Sequence, residues 1–295
     1  MSSIVNMGSI HIDYVYEVPR FVQEGETLMS TSRQIFPGGK GVNQSVALSR
    51  AGAKVYQAGM IGSDGKELLE TLRDAGVDTA LVEICDVPTG HTVIQVNPEG
   101  LNCILVFPGA NRELCEAFVD RALLFFSKGD ILVLQDETSA VVHAMTKAKA
   151  KDMRIAFNPS PIGPDIGKYP LEFVDWFLLN EIEGKAMTGK SDPNDILTGM
   201  ASRFPNAVTV LTLGPDGAIC YADGKTYSQD SYKVNAVDTT AAGDTFTGYF
   251  ISAVSMGKSI KEALQLASAA ASISVTRKGA AVSIPSLDEV VEWMG

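Results

Sequence analysis

Asp238-Thr239-Thr240-Ala241-Ala242-Gly243-Asp244 sets two carboxylates around a run of small residues. An amphipathic pattern follows at once: Phe246, Tyr249, Phe250, Ala253 and Val254 recur at helical spacing, and Gly257 ends it. A helix is therefore expected to open at Ala241, Ala242 and Gly243, with its first N–H groups unpaired. Such a turn receives anions, because free amides and the helix dipole face the same point. Small side chains let a bulky anion reach the backbone. A carboxylate there is repelled by a resident phosphate unless it acts on it. Deprotonating a hydroxyl that attacks the phosphate is such an act. Asp is also a common helix cap, so this stretch by itself leaves both roles open for Asp244.

Working outward, short apolar runs alternate with helical periods. Strands are expected at 4–8, 55–61, 131–134, 154–158, 176–179 and 208–211. Helices are expected at 42–50, 65–74, 113–127, 138–151, 196–204, 245–255 and 260–276. Ile131-Leu132-Val133-Leu134 is apolar throughout, as in a strand buried on both faces. This alternation predicts an α/β fold with an open, mostly parallel sheet covered by helices on both faces. Two stretches break the rhythm. Residues 15–36 carry no helical pattern, and two apolar runs at 92–96 and 103–107 flank the turn Asn97-Pro98-Glu99-Gly100. Both are read as a small antiparallel sheet projecting from the main body. A small exposed sheet is marginal alone, so it is expected to pack on a substrate or a second subunit.

Composition bounds the function. The chain has 295 residues, 45% hydrophobic and 20% charged, enough for one large α/β domain or for a domain plus an appendage. Its formal charge is -11 with scattered lysines and arginines, which argues against a nucleic-acid or acidic-membrane partner. No run approaches the ~20 apolar residues of a membrane span. Residues 1–6 have neither a basic region nor a long apolar core, so no signal peptide and a cytoplasmic location are expected. Cys85, Cys103, Cys115 and Cys220 form no CxxC pair and read as free thiols. His11, His91 and His143 are too dispersed for a metal cluster.

Several further motifs carry chemistry. Pro37-Gly38-Gly39-Lys40-Gly41-Val42-Asn43-Gln44 is a glycine-rich turn opening a helix, and it leaves backbone and polar groups for a hydroxylated ligand. Gly184-Lys185-Ala186-Met187-Thr188-Gly189-Lys190-Ser191 fits the pattern GxxxxGK[ST]. A P-loop needs a strand ending at its first Gly and a helix starting at its Lys. Here a helical face runs through the supposed loop, Gly189 fits a C-cap, and Asp192-Pro193 starts the next helix. The context argues against a P-loop. The fingerprint GxGxxG is absent after the first strand. Thr212-Leu213-Gly214-Pro215-Asp216-Gly217 is a sharp turn at a strand end, where ligands of open α/β sheets gather. Asn180-Glu181-Ile182-Glu183 and Gln135-Asp136-Glu137 also end strands. Their carboxylates suit either a ligand or a solvated helix start.

The order of these motifs, closed by Thr276-Arg277-Lys278-Gly279-Ala280, resembles the ribokinase family of carbohydrate kinases. The likeness runs from Ile4 to about Pro285 and is strongest at 38–44, 236–246 and 275–279. It implies that Asp244 is the general base and that amides of Ala241, Ala242, Gly243 and Asp244 form the anion hole. It implies sugar contacts from His11, Asp13, Gly39, Lys40, Asn43, Glu137 and Asp244. ATP is expected at Asn180, Thr212, Gly214, Gly217, Gly243 and Ser268, with Mg2+ near Glu183 through water. A monovalent cation, K+, is expected at Asp238, Thr240, Ser274, Arg277, Gly279 and Ser283. Residues 11–41 and 89–109 match the family's lid, which often forms a homodimer interface, and 1–10, 42–88 and 110–295 the α/β domain.

Two departures stand out. Ribokinases usually carry Asn-x-Asp after the first strand, and here the stretch is His11-Ile12-Asp13. An imidazole is larger than a carboxamide and donates and accepts differently. Ser268 stands where a His near the adenine is usual. The resemblance implies ATP-dependent phosphorylation of a primary hydroxyl, D-ribose to ribose 5-phosphate. The alternatives are a kinase of the same fold for another sugar or a nucleoside, a non-catalytic sugar-binding regulator, and a P-loop NTPase using 184–191.

Overall fold

The computed structural model describes residues 2–295. Its strands, in chain order, begin with β1 (Ile4–Met7), β2 (His11–Glu17), β3 (Ser32–Gly38), β4 (Val55–Ile61), β5 (Asp78–Ile84), β6 (Gly90–Val96) and β7 (Asn102–Phe107). They continue with β8 (Ile131–Gln135), β9 (Arg154–Asn158), β10 (Trp176–Asn180), β11 (Val208–Thr212), β12 (Ala218–Ala222) and β13 (Lys225–Gln229). Nine of them form one sheet in the order β13-β12-β11-β10-β9-β8-β1-β4-β5. Pairing is parallel from β11 to β5, and β12 and β13 add an antiparallel edge.

The twofold period of the strands builds two cores. Ile4, Ile131 and Val133 face one side, with the helices Lys40–Arg50, Ala242–Ser255 and Ile260–Ser274. Val5, Met7, Leu132 and Leu134 face the other, with the helices Glu116–Leu123, Val141–Ala150, Glu181–Thr188 and Pro193–Arg203. Alternate side chains thus bury against opposite layers, which is why 131–134 is apolar at every position and β1 departs from this only at the buried Asn6. β1 lies between β4 and β8, where strand order reverses. The crevice at the carboxyl ends of the strands opens at that switch point.

The other four strands form a separate sheet in the order β3-β2-β6-β7. Its outer pairs are antiparallel, but the central pair β2–β6 is parallel, from His11↔Gly90 at the base to Glu17↔Val96 at the tip. Both central strands leave the main body in the same direction, so they cannot pair head to tail. β7 is exposed along its length.

Some expectations need correction. The helix expected over 113–127 is confined to Glu116–Leu123, after a 3₁₀ turn at Gly109–Arg112. The apolar run beyond it winds through i→i+3 turns at Leu124 and Phe126, and Leu124 and Phe125 face solvent. The helix expected from 138 starts at Val141, because Ala140 takes a left-handed conformation. Strands β5, β12 and β13 and the helix Leu287–Met294 had no counterpart in the sequence reading. No helix among the described residues is long and apolar enough to cross a membrane.

Candidate active site

The parallel strands deliver polar residues to one edge. Gly8 and Ser9 follow β1, Gln135 ends β8, Asn158 ends β9, Asn180 ends β10 and Thr212 ends β11. Over this edge the helices Lys40–Arg50 and Ala242–Ser255 cross in close contact. A Cβ on Gly248 would lie 2.3 Å from Ala47 Cβ and 2.8 Å from Leu48 N, so only glycine permits the approach. The crossing brings the glycine-rich turn to Asp244. Asn43 Nδ2 donates to Asp244 Oδ2 at 3.0 Å, and Gln44 Nε2 to Asp244 Oδ1 at 2.9 Å. Asp244 is buried, and its carboxylate is held by two amide donors.

Ala241 caps the helix with φ 60° and ψ 11°, a left-handed conformation that a non-glycine residue adopts at some cost. The Ala242 N–H leans on Thr239 O at 3.3 Å. The amides of Gly243 and Asp244 have no intramolecular acceptor, and a Cβ on Gly243 would meet nothing within 4 Å. Two free N–H groups therefore border the buried carboxylate. They open on a cavity of ≈ 260 Å³ lined also by Lys40, Asn180 and Glu183.

Lys40 supplies the cavity's positive charge. Burial works to lower its pKa, but Asp244, Glu137 and Glu183 outweigh burial and the net shift is upward. The ammonium thus stays charged at neutral pH. Glu137 accepts from the Lys40 N–H at 3.2 Å and from the Ser9 hydroxyl. Gly39, at φ 92°, is pressed on the Ser9 carbonyl, where a Cβ would sit 2.8 Å away. Asp13 packs against Gly38 and accepts from Thr92 Oγ1 at 2.7 Å. Burial pushes its carboxyl up, and the Thr92 bond offsets this only in part. His11 is 3% exposed, its Nε2 has no hydrogen-bond partner, and burial pushes its pKa down. Asn43 Oδ1 is likewise buried and unpartnered. His11, Asp13, Gly39, Lys40, Asn43, Glu137 and Asp244 thus converge, as the sequence led one to expect. Ser9, Thr92 and Gln44 join them without having been singled out.

A sequence profile of the pfkB family carbohydrate kinases matches residues 1–287. The chain belongs to this family. A ribokinase of Haemophilus influenzae is 37% identical over 297 residues, 98% of this chain and 97% of that one. A deoxyribokinase of Salmonella typhi is 30% identical over 300 residues, 99% of this chain and 98% of that one. Arabidopsis thaliana ribokinase, solved with ribose and ATP, superposes with a TM-score of 0.86 at 31% identity, covering 99% of this chain and 98% of that one.

In this pfkB kinase a second cleft of ≈ 560 Å³ continues from the first, sharing Thr212, Thr239, Ala242 and Gly243. Gly214, Gly217 and Ser268 line it, and Phe246 and Val275 make part of its wall apolar. The Ser268 hydroxyl is buried without a partner. Gly217, at φ 96°, is needed for packing too, since a Cβ there would lie 2.2 Å from Gln229 O. Asn180 is committed elsewhere. It caps the helix Glu181–Thr188 through Oδ1, and both Glu183 oxygens accept from it in a capping box. This helix runs through the GxxxxGK[ST] match. Gly184 packs on Ile196, Gly189 is a left-handed C-cap and Lys190 is exposed, so 184–191 is not a phosphate loop.

Asp238 ties the turn to the segment after the helix Ile260–Ser274. Its oxygens accept from Thr240 N at 2.9 Å, Thr240 Oγ1 at 2.6 Å and Gly279 N at 2.9 Å. Burial works to raise its pKa, but these bonds and Lys278 hold it below the usual range. The Ser274 and Ser283 hydroxyls bond carbonyls within their own turns, and Arg277 pairs with Glu289. Both serine hydroxyls have thus spent their protons, and the Arg277 guanidinium has no lone pair to offer a cation.

Proposed function

We propose that this kinase transfers the γ-phosphoryl group of ATP to the primary hydroxyl of D-ribose, giving ribose 5-phosphate and ADP. The observation that carries the reading is the juxtaposition at Asp244. A buried carboxylate held by Asn43 and Gln44 stands beside the free amides of Gly243 and Asp244. The sugar hydroxyl gives its proton to Asp244 as its oxygen attacks the γ-phosphorus. The bond from phosphorus to the β–γ bridging oxygen breaks, and ADP leaves. Charge on the γ oxygens meets the two amides and the Lys40 ammonium, donors already in place before reaction.

His11, Asp13, Asn43 and Glu137 supply the sugar's hydrogen bonds, with the unpartnered Asn43 Oδ1 as one ready acceptor. The larger cleft takes the adenosine. Mg2+ would be held near Glu183 through water, because both Glu183 oxygens already accept from Asn180 and no cluster of three or more His, Cys, Asp or Glu forms among the described residues. When bound, it neutralises phosphate charge. A carboxylate has about four lone-pair sites and Asp238 has filled three, so K+ would find one Asp238 site plus backbone carbonyls of 274–283.

The sheet β3-β2-β6-β7 serves as a lid and as the contact of a homodimer. Leu105 is 70% exposed and Ile104 52%, on an edge strand that soluble proteins normally shield. A second reading is a related pentose, favoured by the buried, unpartnered His11 Nε2 in place of a carboxamide. The test is a panel of pentoses, hexoses and nucleosides with coupled ADP detection. D-Ribose is expected to give the highest kcat/KM, and a higher value for any other compound would replace it as the substrate.

A further inference from the structure

The Asp244 carboxylate is the end point of a chain of buried amides that starts at backbone carbonyls. Gln57 Nε2 donates to Gly8 O at 2.9 Å and Ala58 O at 3.1 Å. Carbonyls only accept, so the Gln57 amide has one orientation, and its Oε1 accepts from Ser45 Oγ at 2.6 Å. Ser45 has then used its proton, and it accepts from Asn6 Nδ2 at 2.9 Å. The second Asn6 N–H goes to Gly41 O at 2.8 Å. Asn6 Oδ1 therefore accepts, from Gln135 Nε2 at 2.9 Å, and Gln135 gives its other proton to Gln44 Oε1 at 2.7 Å. With Oε1 engaged, Gln44 turns its NH2 to Asp244 Oδ1 at 2.9 Å and Asn158 Oδ1 at 3.1 Å. Asn158 is fixed as an acceptor because its own NH2 donates to Leu178 O at 2.8 Å. Asn6, Gln44, Ser45, Gln57 and Gln135 are all 0% exposed. Of their side-chain polar atoms only Gln135 Oε1 lacks a partner.

Each link is determined by the one before it, and donation runs outward from Gln135 in both directions, through Asn6 and Ser45 to Gln57 and through Gln44 to Asp244. We propose that this relay is a positioning device for the base: Gln135 and Asn6 dictate, through Gln44, that Asp244 meets an N–H and not a carbonyl. The proposal rests on Asp244 being the base. Amide N–H groups suit the task because they orient a carboxylate without titrating. A reversed Gln44 would set Oε1 against Asp244 Oδ1, and two acceptors repel.

Gln135→Glu tests this at a residue that does not touch Asp244. A carboxylate at 135 only accepts, so Gln44 must turn its NH2 toward it and its Oε1 toward the base. kcat is expected to fall about 10–100-fold, with both KM values within about threefold. Gln135→Met removes the donor without reversing Gln44 and is expected to cost less kcat than Gln135→Glu. A purely structural role predicts the opposite order. In a Gln44→Met background no amide remains to turn, so adding Gln135→Glu is expected to lower kcat less than about twofold further, a non-additive cycle. Additive losses, or an unchanged kcat in Gln135→Glu, overturn the relay. If Gln135→Glu does not fold, Gln44→Glu sets a carboxylate directly against the base, and an unchanged kcat there overturns it equally. Asp244→Asn run alongside separates the two readings. Normal turnover in that variant removes the base itself, whereas its loss combined with additive Gln44 and Gln135 effects removes the relay alone.

Discussion

Asn43 Nδ2 lies 3.0 Å from Asp244 Oδ2, joining residues 201 positions apart in sequence. The same carboxamide keeps Oδ1 buried and unpartnered. One side chain thus steadies the Asp244 carboxylate with its donor and holds an acceptor in reserve beside it. A sugar hydroxyl placed between Asn43 and Asp244 finds two acceptors for one proton, and only the carboxylate can take it. The helix crossing at Gly248 keeps this geometry, so fold and chemistry meet at a residue that carries no functional group.

Asp244→Asn leaves the fold and the free amides intact but removes the proton acceptor. It is expected to bind ATP normally while kcat falls about 10²–10⁴-fold, the usual cost of losing a general base. Calorimetric ATP binding with a single-turnover rate measures both quantities. Near-normal turnover would return Asp244 to the role of a helix cap.

Much of this arrangement was legible in the sequence, for identifiable reasons. Gly39, Gly243 and Asp244 lie in compact motifs whose chemistry is local. The helix C-cap at Gly189 could also be argued from its neighbours alone. The hairpin β12–β13 was missed, although Asp223-Gly224 takes two left-handed residues in the manner of a two-residue turn. Nothing in the local sequence around Gln44 reveals that its partner is a carboxylate 200 residues away, and nothing around Gln135 reveals that it donates to Asn6 and Gln44. Register across a parallel sheet is a long-range property, and a polar relay built on it is visible only when the strands are side by side.

Gly248→Ala and Gly243→Ala add the same methyl group at two points of one helix, with opposite expectations. At 248 the Cβ meets the backbone of the crossing helix, and backbone cannot yield. That variant is expected to lose about 1–3 kcal/mol of stability, typical of overpacking. At 243 the Cβ enters open space within the protein, so Tm is expected to hold while KM for ATP rises. Thermal denaturation and steady-state kinetics on both variants check the pair. Equal Tm losses would mean that the helix start is packed like its middle.

The pKa of His11 is lowered by burial from its ordinary 6.5, against the opposing pull of Glu137 and Asp13, while His91 and Lys40 add to the lowering. Below pH 6.5 the unfolded chain therefore binds a proton that the folded chain refuses. Stability from this residue is present above that value and is lost as pH falls through it. His11→Asn has no such group. The Tm of wild type relative to His11→Asn is thus expected to drop between pH 7.5 and 5.5. A difference in Tm that does not change with pH would mean that the imidazole is as free to protonate when folded as when unfolded.

Asp238 gives the last test, because it braces the turn from outside the site. Its two oxygens hold Thr240 on one side and Gly279 on the other, so the start of the helix Ala242–Ser255 is tied to the segment after Ile260–Ser274. A monovalent ion at the remaining lone pair, with carbonyls of that segment, would stiffen the same tie. Preorganised donors are what stabilise developing charge, so a looser turn lowers kcat before it lowers binding. Replacing K+ by a bulky organic cation at equal ionic strength is expected to lower kcat and to lower Tm by a small amount. Asp238→Asn keeps the shape and can still accept from Gly279, but it lacks the charge. It is expected to abolish the difference between the two buffers. If wild type turns over equally fast in both, the turn is held by Asp238 alone and no cation takes part. If Asp238→Asn still distinguishes the buffers, the ion acts elsewhere.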